Sequence, residues 1–230
     1  MAKNLIIFDI DGTMTESENH HLSAFEYALR EMGIHNINTD WASYRHITDR
    51  HVLGVNFERQ FNEKLSSSDM KACERLILSK LESMPIIAGK PGASELVNAL
   101  WNHDGWDLAF ATGSLFLPAI KKLRDAEIRF KPSIVIGSNE LSTREDLIAA
   151  AIDAAKKLNH VTHYHSILSC GDGLWDWQTA QNSDLQFLGV GNHHKEELIA
   201  AGVEHHIDDW QGMTPEQLIP YTKVNINTTA

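Results

Sequence analysis

Short apolar runs that alternate with segments of helical period constrain this chain more than any other feature. Leu5-Ile6-Ile7-Phe8 is continuous in apolar character, and runs of the same kind follow at Asp107–Ala111, Ser133–Ile136, Ser166–Ser169, Leu185–Val190 and His205–Ile207. Strands that read this way are covered on both faces, as in a parallel sheet. Between them lie segments repeating at 3–4 residues. Ser94 to Trp101 carries Leu96, Val97 and Leu100; Asp146 to Leu158 carries Leu147, Ile148, Ala151, Ile152 and Ala155; Glu196 to Ala201 is a third. Strand–helix–strand units of this sort wind right-handed, so the pattern predicts an α/β fold with a doubly wound, mostly parallel, Rossmann-like sheet.

The alternation fails once. From Thr15 to Met84 the pattern is helical and offers no strand. Leu22, Phe25, Leu29 and Met32 mark one apolar stripe, which stops at Gly33. Met70, Cys73, Ile77 and Leu81 mark another, opening after Ser66-Ser67-Ser68-Asp69, where a serine or the aspartate can cap. Pro85 and Gly89-Lys90-Pro91-Gly92 then lead the chain back. The reading is an all-helical cap domain over residues 15–85, inserted by two hinge segments into an α/β core made of 1–14 and 86–230. The last residues, Thr222 to Ala230, are polar without periodicity and read as a mobile tail.

At 230 residues with 43% hydrophobic content, the chain can bury a sizeable core, which excludes a disordered class. Twenty basic against 31 acidic residues give a net charge of −11, which repels polyanions and argues against nucleic-acid binding. The opening apolar run is too short for a signal peptide or a membrane span, and no later run approaches spanning length. Two isolated cysteines, Cys73 and Cys170, fit a reducing compartment, so a cytoplasmic protein without a membrane partner is expected. Thirteen histidines include the pairs His20-His21, His193-His194 and His205-His206. Adjacent histidines on a helix or strand point apart, which favours surface or hydrogen-bonding roles over a metal cluster. Nothing in the sequence fixes the oligomeric state, and a monomer satisfies it.

Four polar segments follow predicted strands or open helices at the strands' C-terminal ends, where open α/β sheets bind ligands. They are Asp9-Ile10-Asp11-Gly12-Thr13, Ala111-Thr112-Gly113-Ser114, Ser142-Thr143-Arg144 and Gly171-Asp172-Gly173-Leu174-Trp175-Asp176. An aspartate at a strand end is commonly a turn former or a cap. Asp9 and Asp11 paired across one residue, with a third acid at Asp172, make a different proposition. A carboxylate can attack phosphorus and divide hydrolysis into two steps, while a second serves as acid and then base. Two acids facing a phosphate dianion repel it and each other, which calls for a hard cation with oxygen ligands.

In motif order, spacing and insert position, the whole chain resembles the haloacid dehalogenase superfamily, in its phosphatase branch with a helical cap after strand one, similar to phosphoglycolate phosphatases and β-phosphoglucomutases. The resemblance implies a magnesium-dependent phosphatase acting on a small phosphorylated metabolite. It implies Asp9 as nucleophile and Asp11 as general acid and base. It further implies Mg2+ on Asp9, the backbone carbonyl of Asp11 and Asp172, with Asp176 in support, and phosphate held by Thr112, Gly113 and Arg144. The family's third motif usually carries lysine, and here Arg144 takes that place, with Lys121 and Lys122 as the other candidates. Arg45 and Arg50, in a polar cluster of the cap with His46, Thr48 and Asp49, are expected to grip the leaving group on closure. Trp175 and Trp177 flank Asp176 and are expected to pack beneath its loop.

Rival functions make different demands on the same residues. A dehalogenase would not need Asp11, and a phosphonate hydrolase would need a cap lysine; Lys64 is the only one upstream of Lys71, and nothing around it marks it for that role. A phosphoglucomutase-type isomerase shares the Asp9 and Asp11 chemistry. A non-catalytic metabolite-binding module would be expected to lose the nucleophile or the acid, and both are present.

Overall fold

The computed structural model describes residues 3–222; of the expected mobile tail, 223–230 lie outside the described residues. Its centre is a six-stranded, wholly parallel sheet of order β3-β2-β1-β4-β5-β6. The strands are β1 (Asn4–Phe8), β2 (Trp106–Ala111), β3 (Val135–Ile136), β4 (Ile167–Gly171), β5 (Gln186–Val190) and β6 (His206–Ile207). The chain therefore starts in the middle, winds outward through β2 and β3, and crosses back to β4 beside β1. This is the doubly wound order, with its reversal between β1 and β4. Leu5, Ile6, Ile7 and Phe8 are all fully buried. Each such side chain contributes roughly 1.5–3 kcal/mol relative to exposure, which is why the run takes the central position. Phe8 packs edge-on against Trp210, whose indole N–H donates to the Thr13 carbonyl at 2.9 Å and so steadies the turn after β1. The expected strand Ser133–Ile136 is shortened, because Pro132–Ile134 forms a 3-10 turn and only Val135 and Ile136 pair.

The helices are α1 (Glu18–Glu31), α2 (Asp49–Phe61), α3 (Ser67–Glu82), α4 (Ala93–Trp101), α5 (Phe116–Asp125), α6 (Arg144–Asn159), α7 (Leu174–Asn182) and α8 (Lys195–Ala200). Helix α6 makes the return crossing and packs on β1, β2 and β3. Helices α1 to α3 form a unit with a buried cluster of its own, including Phe25, Leu29, Leu53, Met70, Ile77 and Leu81. Helix α3 starts where the serine run indicates: Ser66 Oγ accepts from Asp69 N–H at 3.2 Å, and the Asp69 carboxylate accepts from Ser66 N–H at 3.0 Å. Helix α2 carries no recognisable stripe, because its buried positions are Asp49, Val52, Leu53 and Asn56, two of them polar. Asn56 satisfies itself on the Val52 carbonyl at 2.8 Å and the Tyr44 hydroxyl at 2.6 Å.

The segments entering and leaving this unit run side by side. Thr15 and Gly89 form an antiparallel bridge, with Glu16 N–H on Ala88 O and Lys90 N–H on Met14 O, both at 2.9 Å. Among the described residues no helix is long and apolar enough to cross a membrane.

Candidate active site

The site lies at the C-terminal edge of the sheet, where β1 and β4 part. Asp9 follows β1 directly, and its N–H is held by the Cys170 carbonyl at 2.9 Å, so the two strand ends are fixed to each other. Gly12 turns the chain with a φ of +73°, and a Cβ there would overlap the Asp172 carboxylate. A glycine is required at that point for the first and fourth motifs to approach.

Asp9, Asp172 and Asp176 are buried, and each brings a carboxylate oxygen within 4.8 Å of the others. Burial, then repulsion from Asp176, holds Asp9 well above the ordinary carboxylate range against the pull of Arg144. Asp172 is raised in the same way, by burial first and then by Asp176 and Asp9. Asp176 is raised by burial although Arg144 opposes it. Its side chain accepts from Gly173 N–H at 3.2 Å, so it caps the start of α7 as well as facing the cluster. A set of three crowded, oxygen-only donors with excess negative charge suits a hard cation that accepts carboxylates, and Mg2+ is such an ion. Softer metals would favour nitrogen or sulfur, which this cluster lacks.

Arg144, in the first turn of α6, is partly buried, its side chain 14% exposed, and reaches this cluster. Its Nη1 stands 2.5 Å from Asp176 Oδ1 and 3.5 Å from Asp9 Oδ1, while Nε donates to the Ile47 carbonyl at 3.1 Å. Burial would lower its pKa, but the Asp176, Asp9 and Asp172 carboxylates outweigh that and raise it. Lys121 is bound to Asp125 on its own helix at 2.8 Å. Lys122 does something the sequence did not suggest. It is fully buried, and its Nζ lies 2.7 Å from both the Asp11 carboxylate and Ser114 Oγ.

Asp11 is thus encircled by donors: Lys122, Ser114 Oγ at 2.8 Å and Ser17 Oγ at 2.5 Å. Burial alone would raise it. The Lys122 ammonium, then His21 and the hydrogen bonds from Lys122 and Ser17, hold it below the ordinary carboxylate range. Thr112 is buried and its Oγ1 accepts from Ser114 N–H at 3.1 Å. At Gly113 a Cβ would press on the Ile47 carbonyl at 2.7 Å and Arg144 Nη2 at 2.9 Å, so the second motif and the arginine meet only across a bare backbone.

A cavity of about 450 Å³ opens over these groups and is walled on the far side by the helical unit. Asp9, Asp11, Thr112, Gly113, Arg144 and Asp172 all line it. Arg45 and Arg50 do not. Arg45 is exposed, and Arg50 donates to the Asn139 carbonyl and lies 3.9 Å from Glu140, which holds it against the core away from the cavity. The helical unit instead presents Leu22, Phe25, Trp41 and Val52, together with His21, whose Nε2 is 2.9 Å from Asp49 Oδ1. Asp49 ties unit and core together: its N–H donates to Gly113 O at 2.8 Å, and its Oδ2 accepts from Leu115 N–H at 2.9 Å.

Trp175 also lines the cavity, with the Arg144 guanidinium 5.8 Å from its ring, so it forms wall as well as packing. His193 and His194 depart from the expectation for adjacent histidines. They sit in a bend, not a regular element, and bring ligand atoms within 4.8 Å of each other and of Glu18 at the cavity wall. His194 is held by Glu197 at 3.1 Å and stands edge-on to Trp175. Sequence reasoning missed Ser17, Ser114 and the role of His21, of which Ser114, inside the second motif, carried a signal; Lys122 and Asp49 were named, one as an alternative to Arg144 and one in the cap's polar cluster, but not in these roles.

A family model described as haloacid dehalogenase-like hydrolase matches residues 6–190. No curated protein gives a significant match. Several solved structures do. A hydrolase from Pseudomonas syringae is 20% identical with a TM-score of 0.67, covering 96% of this chain and 97% of that one. CbbY from Rhodobacter sphaeroides, in complex with phosphate, is 16% identical with a TM-score of 0.65, covering 95% and 100%. A further CbbY structure holds xylulose-1,5-bisphosphate. A β-phosphoglucomutase from Clostridium difficile is 16% identical with a TM-score of 0.68, covering 96% and 97%. At these identities the likeness is one of fold.

Proposed function

The chain belongs to the haloacid dehalogenase-like hydrolase family, and we propose that it is a magnesium-dependent phosphatase acting on a small phosphorylated metabolite through an aspartyl-phosphate on Asp9. The observation that carries this reading is the convergence of Asp9, Asp172 and Asp176 with the Arg144 guanidinium at the sheet's switch point. Asp9, the Asp11 carbonyl and Asp172 would hold Mg2+, with Asp176 beside them. When bound, the ion supplies the positive charge that lets these acids and a phosphate dianion share one site.

The chain's own residues then have separate tasks. Asp9 attacks phosphorus, forming the Oδ–P bond as the ester P–O bond breaks. Arg144, already fixed by Ile47 and Asp176, neutralises charge on the transferring group without further reorganisation. Thr112 and the backbone at Gly113 offer donors to a phosphoryl oxygen. Asp11 gives a proton to the departing oxygen and later takes one from the water that hydrolyses the aspartyl-phosphate. Lys122 and its hydroxyl partners favour the ionised form of Asp11, which suits the second half-reaction. The first half-reaction needs the carboxyl to turn from Lys122 toward the leaving oxygen and carry a proton.

We infer that α1 to α3 act as the cap, swinging on the paired segments at Thr15 and Gly89 and sealed by Asp49 and Ile47. The test is a panel of phosphorylated metabolites and p-nitrophenyl phosphate with released phosphate as readout, run with Mg2+ and with EDTA. Hydrolysis that requires Mg2+ and disappears in Asp9→Asn is the expected result; undiminished hydrolysis by Asp9→Asn defeats the nucleophile assignment.

A further inference from the structure

The two sides of the cavity carry different chemistry. The core side holds the acids and Arg144. The side formed by the helical unit carries an apolar strip of Leu22, Phe25, Trp41 and Val52 between polar side chains. Phe25 and Trp41 have ring centroids 6.1 Å apart, and His21 stacks on Phe25 at an interplanar angle of 9°, so the rings form a continuous row. Leu22 is 37% exposed, a large apolar side chain on the wall of a site otherwise rich in charge.

Cations are scarce here. Among the described residues that line the cavity, Arg144 is the one arginine or lysine, and it is engaged by Asp9 and Asp176 at the phosphoryl end. Each histidine on the wall has a carboxylate at hand: Asp49 for His21, Glu197 for His194, and Glu18 beside His193 and His194. Asp40 adds another acid on the helical side. A second phosphate or a carboxylate on the substrate would lose water against these acids and meet no free lysine or arginine among the lining residues.

We propose, resting on the phosphatase reading, that the substrate is the phosphomonoester of an uncharged alcohol with an apolar, ring-sized body, and that bisphosphates and phosphorylated carboxylic acids are rejected. The phosphoryl group sits at Asp9. The body lies against Leu22 and Trp41, backed by Phe25, where its burial covers apolar surface that water now meets. The volume of about 450 Å³ lies within the range of small-ligand cavities.

Two measurements test this, both in Mg2+. The first compares kcat/KM for 2-phenylethyl phosphate with phosphoglycolate and a sugar bisphosphate. The ester of the uncharged alcohol should lead by at least about tenfold, a modest share of what an unpaired charge commonly costs. The second compares calorimetric binding of 3-phenylpropylphosphonate and 2-carboxyethylphosphonate, which cannot be hydrolysed, and the aryl ligand should bind tighter by a similar factor. Leu22→Arg, at an exposed position, should shift both preferences toward the carboxylated compounds. Trp41→Ala should raise KM for the aryl ester more than it lowers kcat. Preference of the wild type for carboxylated or bisphosphorylated compounds in either measurement overturns the proposal. Binding preference as proposed, with no ester hydrolysed, p-nitrophenyl phosphate included, would leave it standing and defeat the phosphatase reading instead.

Discussion

Replacing Lys122 with methionine isolates the one ion pair in the site that the family pattern does not explain. The change keeps most of the aliphatic stem and removes the ammonium from a position with no solvent exposure, leaving Asp11 at 18%. Removing one partner of a buried pair costs about 3–5 kcal/mol. Asp11 would keep Ser17 at 2.5 Å and Ser114 at 2.8 Å and some contact with water, which puts the cost near the lower end. At about 3 kcal/mol, and about 2–4 °C per kcal/mol for a chain of this size, Tm should fall by roughly 6–12 °C. The wild-type Asp11 carboxyl has a depressed folded-state pKa, so its contribution is complete above the unfolded value of about 3.9 and is lost as pH falls through the folded value. In Lys122→Met the carboxyl is left without its cation and its pKa rises. The penalty is then greatest at alkaline pH and is relieved as pH falls through that raised value. Thermal melts without added metal, at about pH 8 and about pH 5, should show the gap to wild type narrowing on acidification. Lys122→Met/Asp11→Asn should recover most of the loss, because no buried charge is stranded. A single variant melting within about 2 °C of wild type near pH 8, less than 1 kcal/mol, would refute the pair's role.

Three further outcomes follow from the site. Arg144→Ala removes a desolvated cation beside the transferring group and should lower kcat/KM about a hundredfold or more, while Lys121→Ala, whose partner is Asp125, should match wild type; an active Arg144→Ala enzyme would show that another residue serves as the third motif. Asp172→Asn should raise the Mg2+ concentration needed for half-maximal rate and depress turnover sharply, and full activity of that variant in EDTA would remove the proposed metal site. Asp11→Asn should give a rapid-quench burst of nitrophenol near one per enzyme followed by slow turnover, with alkyl phosphates affected far more; equal losses on both leaving groups without a burst would confine Asp11 to a structural role.

What could be read from the sequence is what the chain does locally. The apolar runs gave all six strands because a strand covered on both faces has to be continuous, and Ser133–Ile136 overdrew the third only because Pro132–Ile134 forms a 3-10 turn and leaves Val135 and Ile136 to pair. The first, second and fourth motifs were legible for a related reason: each is a strand end whose neighbours in sequence are its neighbours in space. Lys121 and Lys122 mark the limit. They are adjacent and identical in type, and the rotation of about 100° between successive helical residues sends one to Asp125 and the other to Asp11. Helix α2 was hidden for a similar reason, since half of its buried face is polar and is satisfied by tertiary partners. The helical wall of the site shows the consequence for function. Reading by residue type selected Arg45 and Arg50 to grip the leaving group. Their actual directions, one to solvent and the other to the Asn139 carbonyl, hand that wall to Leu22, Phe25 and Trp41. A cluster of charges in sequence says what a segment can bind only once the direction of each side chain is known, and here direction takes both arginines away from the cavity.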